Sequence, residues 1–275
     1  MGQPGVSQQV ARLERELEVQ LFDRSARSVR LTEAGQRFLP EARAVLVALQ
    51  RARASAAGPD DAGPGASRLR LGTSSGLGVR LEGVLEALRR ANPAAVVQLD
   101  SASTRVRLER VRAGQLDAAF VRGIQDSPGL ELVPVWRDSL VAVLPASHPL
   151  AATGEVELSR LATVPRRLVS RTLNAPLVDL VMSACARSGF EPVLGPRSQT
   201  LQDTLAAIGT GPTAWTVLYA SHAHVLRPTR VVFRPFAAPR LVMTTALAVP
   251  AGATTRLLAP LLRACAEAAA DDWSS

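Results

Sequence analysis

The sequence predicts an α/β protein in two parts, a helical region over residues 1–57 and an α/β region over 68–275 folded as two lobes around a cleft. Three observations predict it. Val6, Val10, Leu13 and Leu17 recur at spacings of four, three and four, which is one face of a helix. The segment AAGPDDAGPGAS (56–67) is rich in Gly, Pro and Asp, lacks large apolar residues, and reads as a flexible linker centred on 58–67. After it, β-rich runs alternate with helical runs, the order of an open sheet with crossover helices.

Composition narrows the class. The 275 residues are 47% hydrophobic and 20% charged, enough to build sizeable cores and too apolar for a disordered chain. Every one of the 32 basic side chains is Arg, set against 24 acids for a net charge of +8. Residues 1–57 hold nine Arg and six acids, or +3, so the basicity is spread along the chain and does not by itself mark a nucleic-acid site. Arg interrupts every apolar stretch before it reaches the ~20 residues of a membrane span. The first residues lack a basic-then-apolar secretion pattern. Cys185 and Cys265 lie far apart in apolar helical stretches and read as buried thiols. His222 and His224 lack the i, i+4 spacing of a helical metal site, and His148-Pro149 reads as a turn. The expectation is a cytoplasmic protein with no metal, no cofactor and no membrane partner.

Taken in order, Pro4 suits the first turn of a helix over Gln3–Leu17. Next, FDRSARSVRL carries Arg24, Arg27 and Arg30 among small residues. Thr32 is an N-cap with Glu33 in the first turn of a helix predicted to reach about Ala57. Its stripe of Phe38, Val45, Leu46 and Leu49 has no internal partner, which predicts a second copy against it. Beyond the linker, RLRLGTSS is a strand entering a turn, and Val79–Ala91 a helix stopped by Asn92-Pro93. AVVQLD is a strand, Ser103/Thr104 cap a helix ending at Gly114, and LDAAFV, LELVPVW and SLVAVLPA are three further strands. The second lobe reads as a strand (Arg167–Ser170), two helices (Ala175–Ser188, Leu201–Ile208) and strands Ala214–Tyr219 and Thr229–Arg234. Leu241–Pro250 is a last strand and Thr255–Ala270 a last helix. Lobe I is expected over about 68–146 and 241–275, lobe II over about 147–240.

One motif points toward an enzyme. Gly72-Thr73-Ser74-Ser75-Gly76 matches G-x-S-x-G between a strand and a helix, as in a hydrolase nucleophile elbow, and Asp138 or Asp179 and then His222 follow in suitable order. Against this, the strand is the first of its domain and no HGGG-like oxyanion loop precedes it. Gly/Ser turns after strands commonly do no more than cap the next helix.

The stretch QPGVSQQVARLERELEVQLFDRSARSVRLTEAG (3–35) resembles the DNA-binding region of LysR-type transcriptional regulators, through a recognition helix, the LFDR start of a wing, and RLTEAG at the start of a linker helix. RLRLG, LRRANP, STRVRLERVRAGQLDAAFV and LVAVLPASHPLA resemble that family's effector domain. The resemblance implies a partial winged helix-turn-helix and dimerisation helix joined to a two-lobed domain like periplasmic binding proteins, without enzymatic activity. It implies as partners double-stranded DNA, a small organic effector, further copies in a homodimer or homotetramer, and RNA polymerase. On this footing Gln3, Pro4, Ser7, Gln8 and Arg12 face the major groove, and Arg24, Arg27 and Arg30 contact phosphates near the wing. Thr73, Ser74, Ser75, Ser103, Thr104 and Arg122 form the first-lobe side of the effector site, and Ser170, Arg171, Gln199 and Thr200 the second. Hydroxyls and free N–H groups at helix starts suit a carboxylate, an aromatic acid being the expected class. Ordinary helix capping explains Ser103 and Thr104 equally well.

Three departures from the family accompany the resemblance. The family has a first helix and most of a second before QPGVSQQ, and the expectation is coding sequence upstream that supplies them. If the head stays partial, the expected product senses its effector without binding DNA. Glu18 stands where the family usually has Gly, at a left-handed helix-terminating position. Pro212, Trp215 and Tyr219 are expected to reshape the far wall of the cleft.

Overall fold

The computed structural model describes residues 3–23, 29–39, 41–42, 45, 49, 68–74, 76–196, 200–252 and 258–270. Two compact units emerge, residues 1–58 with 112–114, and residues 59–111 with 115–275.

In the first unit, helix α1 spans Gln3–Glu16. Its end is set by Glu18, which takes a positive φ of 55°, the backbone conformation that the family's glycine would adopt without strain. Glu14 then organises the turn, its Oε1 accepting from Leu21 N at 2.8 Å and Phe22 N at 3.0 Å. Strands β1 (Phe22–Asp23) and β2 (Arg30–Leu31) pair antiparallel, with Phe22 opposite Leu31 and Asp23 opposite Arg30. Thr32 closes the hairpin by donating to Gln20 O, and its Oγ1 accepts from Gly35 N at 3.0 Å. That bond caps the helical residues 33–39 as the sequence predicts. Further along, Val45 is 67% and Leu49 45% exposed, while Leu46 and the predicted helix end at Ala57 lie outside the described residues.

The second unit is built on β6 (Leu130–Pro145), a strand of 16 residues shared by two sheets. One sheet runs β4 (Val96–Ser101), β3 (Arg68–Thr73), β5 (Ala118–Arg122), β9 (Val242–Pro250) and the first part of β6. Strand β3 is parallel to β4 and β5, through crossover helices α2 (Val79–Ala91) and α3 (Thr104–Arg112), and β9 is antiparallel to both neighbours. Beyond Ser139, β6 leaves β9 and pairs antiparallel with β7 (Thr216–Tyr219) and β8 (Val231–Pro235). Helices α4 (Ala175–Arg187), α5 (Leu201–Thr210), α6 (Ala220–Ala223) and α7 (Leu258–Ala270) complete the unit. Each lobe has its own core. Leu71, Val84, Phe120, Trp136, Leu247, Leu261 and Cys265 cluster in one, and Leu144, Leu161, Val181, Cys185, Trp215 and Phe236 in the other. The Phe120 and Trp136 rings lie 5.2 Å apart.

Three expectations change. LELVPVW and SLVAVLPA are one strand, because the polar Arg137-Asp138 pair between them marks no turn. Its only irregularity is a register shift between Pro134 and Trp136, where the proline has no N–H to give the ladder. Arg167–Ser170 is not a strand; the pairing there is limited to bridges from Arg166 to Leu194 and Trp215. Trp215 is fully buried in the second lobe's core, its Nε1 donating to Val164 O at 2.9 Å, and Pro212 is exposed. Of the three residues expected to reshape the cleft wall, only Tyr219 stands at the junction of the lobes.

Candidate functional site

In the first unit, Ser7, Gln8 and Arg12 are exposed on α1, and Arg12 Nε donates to Glu16 Oε1 at 2.9 Å. Gln8 and Arg12, four apart, share one face. Gln3 and Pro4 open the helix. Arg30 is exposed on β2, while Arg24 and Arg27 lie outside the described residues.

At the lobe junction the polar groups form a buried knot around Asp138. Its Oδ2 accepts from Arg122 Nε at 3.1 Å, Trp136 Nε1 at 3.0 Å and Thr245 Oγ1, and its Oδ1 from Ser221 Oγ at 3.2 Å. Arg122, at the end of β5, also donates from Nη2 to Gly76 O at 2.8 Å. Its guanidinium carbon lies 3.9 Å from the centroid of the Tyr219 ring. The turn after β3 is thereby fixed against α6. Gly78, at φ 51°, approaches so closely that a Cβ there would stand 2.0 Å from Ser221 O. Burial and the Arg122 charge hold the nearby His222 below the ordinary histidine pKa. Burial pushes the Tyr219 phenol up, while Arg122 and Asn174 pull it the other way.

The other sequence-predicted effector residues sit at local structural positions. Thr73 is buried at the end of β3, Ser74 is half-buried, and Ser75 and Gln199 lie outside the described residues. Ser103 Oγ accepts from Val106 N at 3.5 Å, and Thr200 Oγ1 caps α5 by accepting from Asp203 N at 3.1 Å. Ser170 and Thr172 share a hydroxyl hydrogen bond of 2.7 Å. Arg171 pairs with Asp179, both largely exposed.

Arg107 was not foreseen. It is 2% exposed, donates from Nη2 to Thr104 Oγ1 at 3.0 Å and from Nη1 to Phe120 O, and makes no ion pair with a described carboxylate. Burial, with the neighbouring Arg122 charge, lowers its pKa to about 10. Two buried guanidinium groups therefore stand near each other, and of the two only Arg122 pairs with a carboxylate. The signal was present in the sequence, since Arg107 falls one helical turn before the apolar Val111 on α3.

The hydrolase constellation does not form. Asp138 gives its oxygens to Arg122, Trp136, Ser221 and Thr245, and Asp179 pairs with Arg171, so neither orients a catalytic histidine. His148 Nδ1 accepts from Leu150 N at 3.1 Å and caps a short 3-10 helix, in keeping with a turn. Among the described residues no group of three or more His, Cys, Asp or Glu is placed to hold a metal ion, and no helix is long and apolar enough to cross a membrane.

Comparison with known families decides the class. Residues 62–271 match the LysR substrate binding domain, and residues 1–36 match the bacterial regulatory helix-turn-helix protein, lysR family. The chain belongs to the LysR family of transcriptional regulators. It is a regulator with a DNA-binding domain of the helix-turn-helix type and an effector-type domain, and not an enzyme. It is 31% identical over 223 residues to a probable hydrogen peroxide-inducible genes activator of Mycobacterium leprae, covering 81% of this chain and 71% of that protein. It is 29% identical over 238 residues to the Hca operon transcriptional activator HcaR of Escherichia coli, covering 86% and 78%. Among solved structures, a full-length OxyR variant from Pseudomonas aeruginosa superposes with a TM-score of 0.67 at 26% identity, covering 97% of this chain and 89% of that one. CbnR, a LysR family transcriptional regulator, gives 0.65 at 24% identity, with 96% and 91% covered. The fold of this LysR regulator is that of its family.

Proposed function

We propose that this LysR regulator switches transcription in response to a small organic carboxylate, an aromatic acid being the favoured class, bound between its two lobes. The observation that carries the reading is Arg107, a buried guanidinium with hydroxyl and carbonyl partners and no carboxylate, close to Arg122. A carboxylate at the first-lobe hydroxyls of Thr73, Ser74, Ser75, Ser103 and Thr104 offsets that excess charge. Ser170, Arg171, Gln199 and Thr200 complete the site from lobe II, with Arg122 holding the turn that carries the serines. Lobe I is taken over about 68–146 and 241–275 and lobe II over about 147–240, the end of β6 pairing with the lobe II strands β7 and β8.

In the cytoplasm, Gln3, Pro4, Ser7, Gln8 and Arg12 read the major groove and Arg24, Arg27 and Arg30 contact phosphates. The copies pair through the helix of residues 32–57, a reading supported by the exposure of Val45 and Leu49. The peroxide response named for the mycobacterial relatives is not assigned to the thiols of this chain. Cys185 and Cys265 are fully buried in different cores and held protonated by burial, the opposite of a peroxide-reactive thiolate.

Titration calorimetry of the full chain with a panel of benzoate, hydroxybenzoates and muconate tests the effector assignment. At least one member is expected to bind, and Arg107→Leu to abolish its heat. Absence of heat for every member overturns it.

A further inference from the structure

A recess of about 1100 Å³ opens along the seam where β6 passes between the sheets, and none of the sequence-predicted effector residues lines it. Arg137, Arg227 and Arg240 line it together with Glu155, as do the half-buried Phe233 and the edge of the fully buried Phe236. Arg240 pairs with Glu155 at 3.2 Å in a solvent-exposed contact. Arg227 reaches only backbone oxygens, with Nη1 donating to His224 O at 2.6 Å and Leu226 O at 3.0 Å. The Arg137 side chain is exposed and makes no hydrogen bond or ion pair with a described residue. The remaining acid of the wall, Asp138, is already neutralised by Arg122. With the buried Arg80, which also lines the recess, four guanidinium groups stand against Glu155 and the already paired Asp138, an excess of positive charge beside the half-buried Phe233.

We infer that this recess is a second ligand site, taking a small organic anion with an apolar body and at least two negative charges. The physical basis is complementarity. Guanidinium forks bind carboxylate and phosphoryl oxygens in charge-assisted, often bidentate hydrogen bonds, and the half-buried Phe233 side chain takes up a ring that bare phosphate lacks. The occupant lies against Asp138 and Ser221, which tie the lobes together.

Two probes carrying the shared chemistry from different sources test the site, phenyl phosphate and benzene-1,3,5-tricarboxylate, titrated calorimetrically into the full chain at constant ionic strength. At least one is expected to bind, and excess benzoate, which has the ring and a single charge, is not expected to displace it. The double variant Arg137→Gln/Arg227→Gln is expected to weaken that binding at least tenfold, with a melting temperature matching the parent's because both side chains are exposed. Arg171→Gln, in the sequence-predicted effector set, leaves it unchanged. The proposal is overturned if neither probe binds, if benzoate displaces the bound probe, if the double variant binds like the parent, or if Arg171→Gln weakens binding equally. Preference for the phosphate or the tricarboxylate identifies the head group, and either preference supports the site.

Discussion

The Arg122 guanidinium and the Asp138 carboxylate meet at 3.1 Å with side-chain exposures of 8% and 1%, so this LysR regulator keeps an ion pair at the junction of its lobes almost out of water. Two charges in such a place are held by each other and by the hydrogen bonds around them, and removing one leaves the other without solvent or partner. Asp138→Ala is therefore expected to destabilise the chain by about 3–5 kcal/mol in urea denaturation. Arg171→Ala, at the exposed pair with Asp179, is expected to leave the denaturation midpoint within error. Similar effects for both variants would show that burial of the knot contributes nothing.

Glu18 holds a left-handed conformation that only glycine adopts freely. Glu18→Gly is expected to stabilise the end of α1 by about 1 kcal/mol. Native-state hydrogen exchange reads this as slower exchange of the amides of Leu17, Val19 and Leu21. Unchanged or faster exchange contradicts it.

Gly78 admits no side chain, because a Cβ there meets Ser221 O at 2.0 Å. Gly78→Ala is expected to part the turn from α6, on top of the roughly 1–2 kcal/mol that a left-handed residue costs an L-amino acid. Loss of stability together with increased proteolysis near residues 76–78 and 221–222 is the expected signature; a parental melting curve counts against it.

His222 gives the stability a pH dependence of defined sign. Its folded pKa lies below the ordinary 6.5, so in the window between the two values the unfolded chain binds more protons. The contribution is fully present above 6.5 and is lost as pH falls through the folded value. Melting temperature is expected to drop between pH 7 and 5, and less steeply in His222→Gln. Parallel profiles for parent and variant would remove His222 as the cause.

Cys185 and Cys265 are expected to resist both peroxide and thiol reagents in the native protein. Burial pushes the Cys265 thiol to about 12 and the Cys185 thiol upward. Mass spectrometry after millimolar peroxide is expected to show neither residue oxidised until denaturant is added; sulfenic or sulfinic acid on the folded chain contradicts this.

The helical and strand periods were legible wherever one face is buried and the other wet. Val79–Ala91 was read to the residue because its apolar spacing and the Asn92-Pro93 stop agree. Strand β6 was split because Arg137-Asp138 interrupts two apolar runs. The absence of Gly, Pro or Asn at that point was the overlooked signal, and the partners that allow Asp138 to lie inside a strand come from β5, α6 and β9. For the site, hydroxyls at helix starts were visible in the sequence. What each already bonds to was not, because a capping serine and a ligand-binding serine have the same local pattern. Arg107 was hidden by the rule that charged residues face water, which fails where a carbonyl and a hydroxyl wait inside.

The chain leaves the first sheet after Ser139 and returns at Leu241, and Leu140 N donates to Leu241 O at 2.8 Å across that gap. The segment between them, which holds the second lobe, thus has hydrogen-bonded neighbours at its two ends, Leu140 within β6 and Leu241 just before β9. A change of length or conformation at one of these two junctions is felt at the other, because a single hydrogen bond spans both.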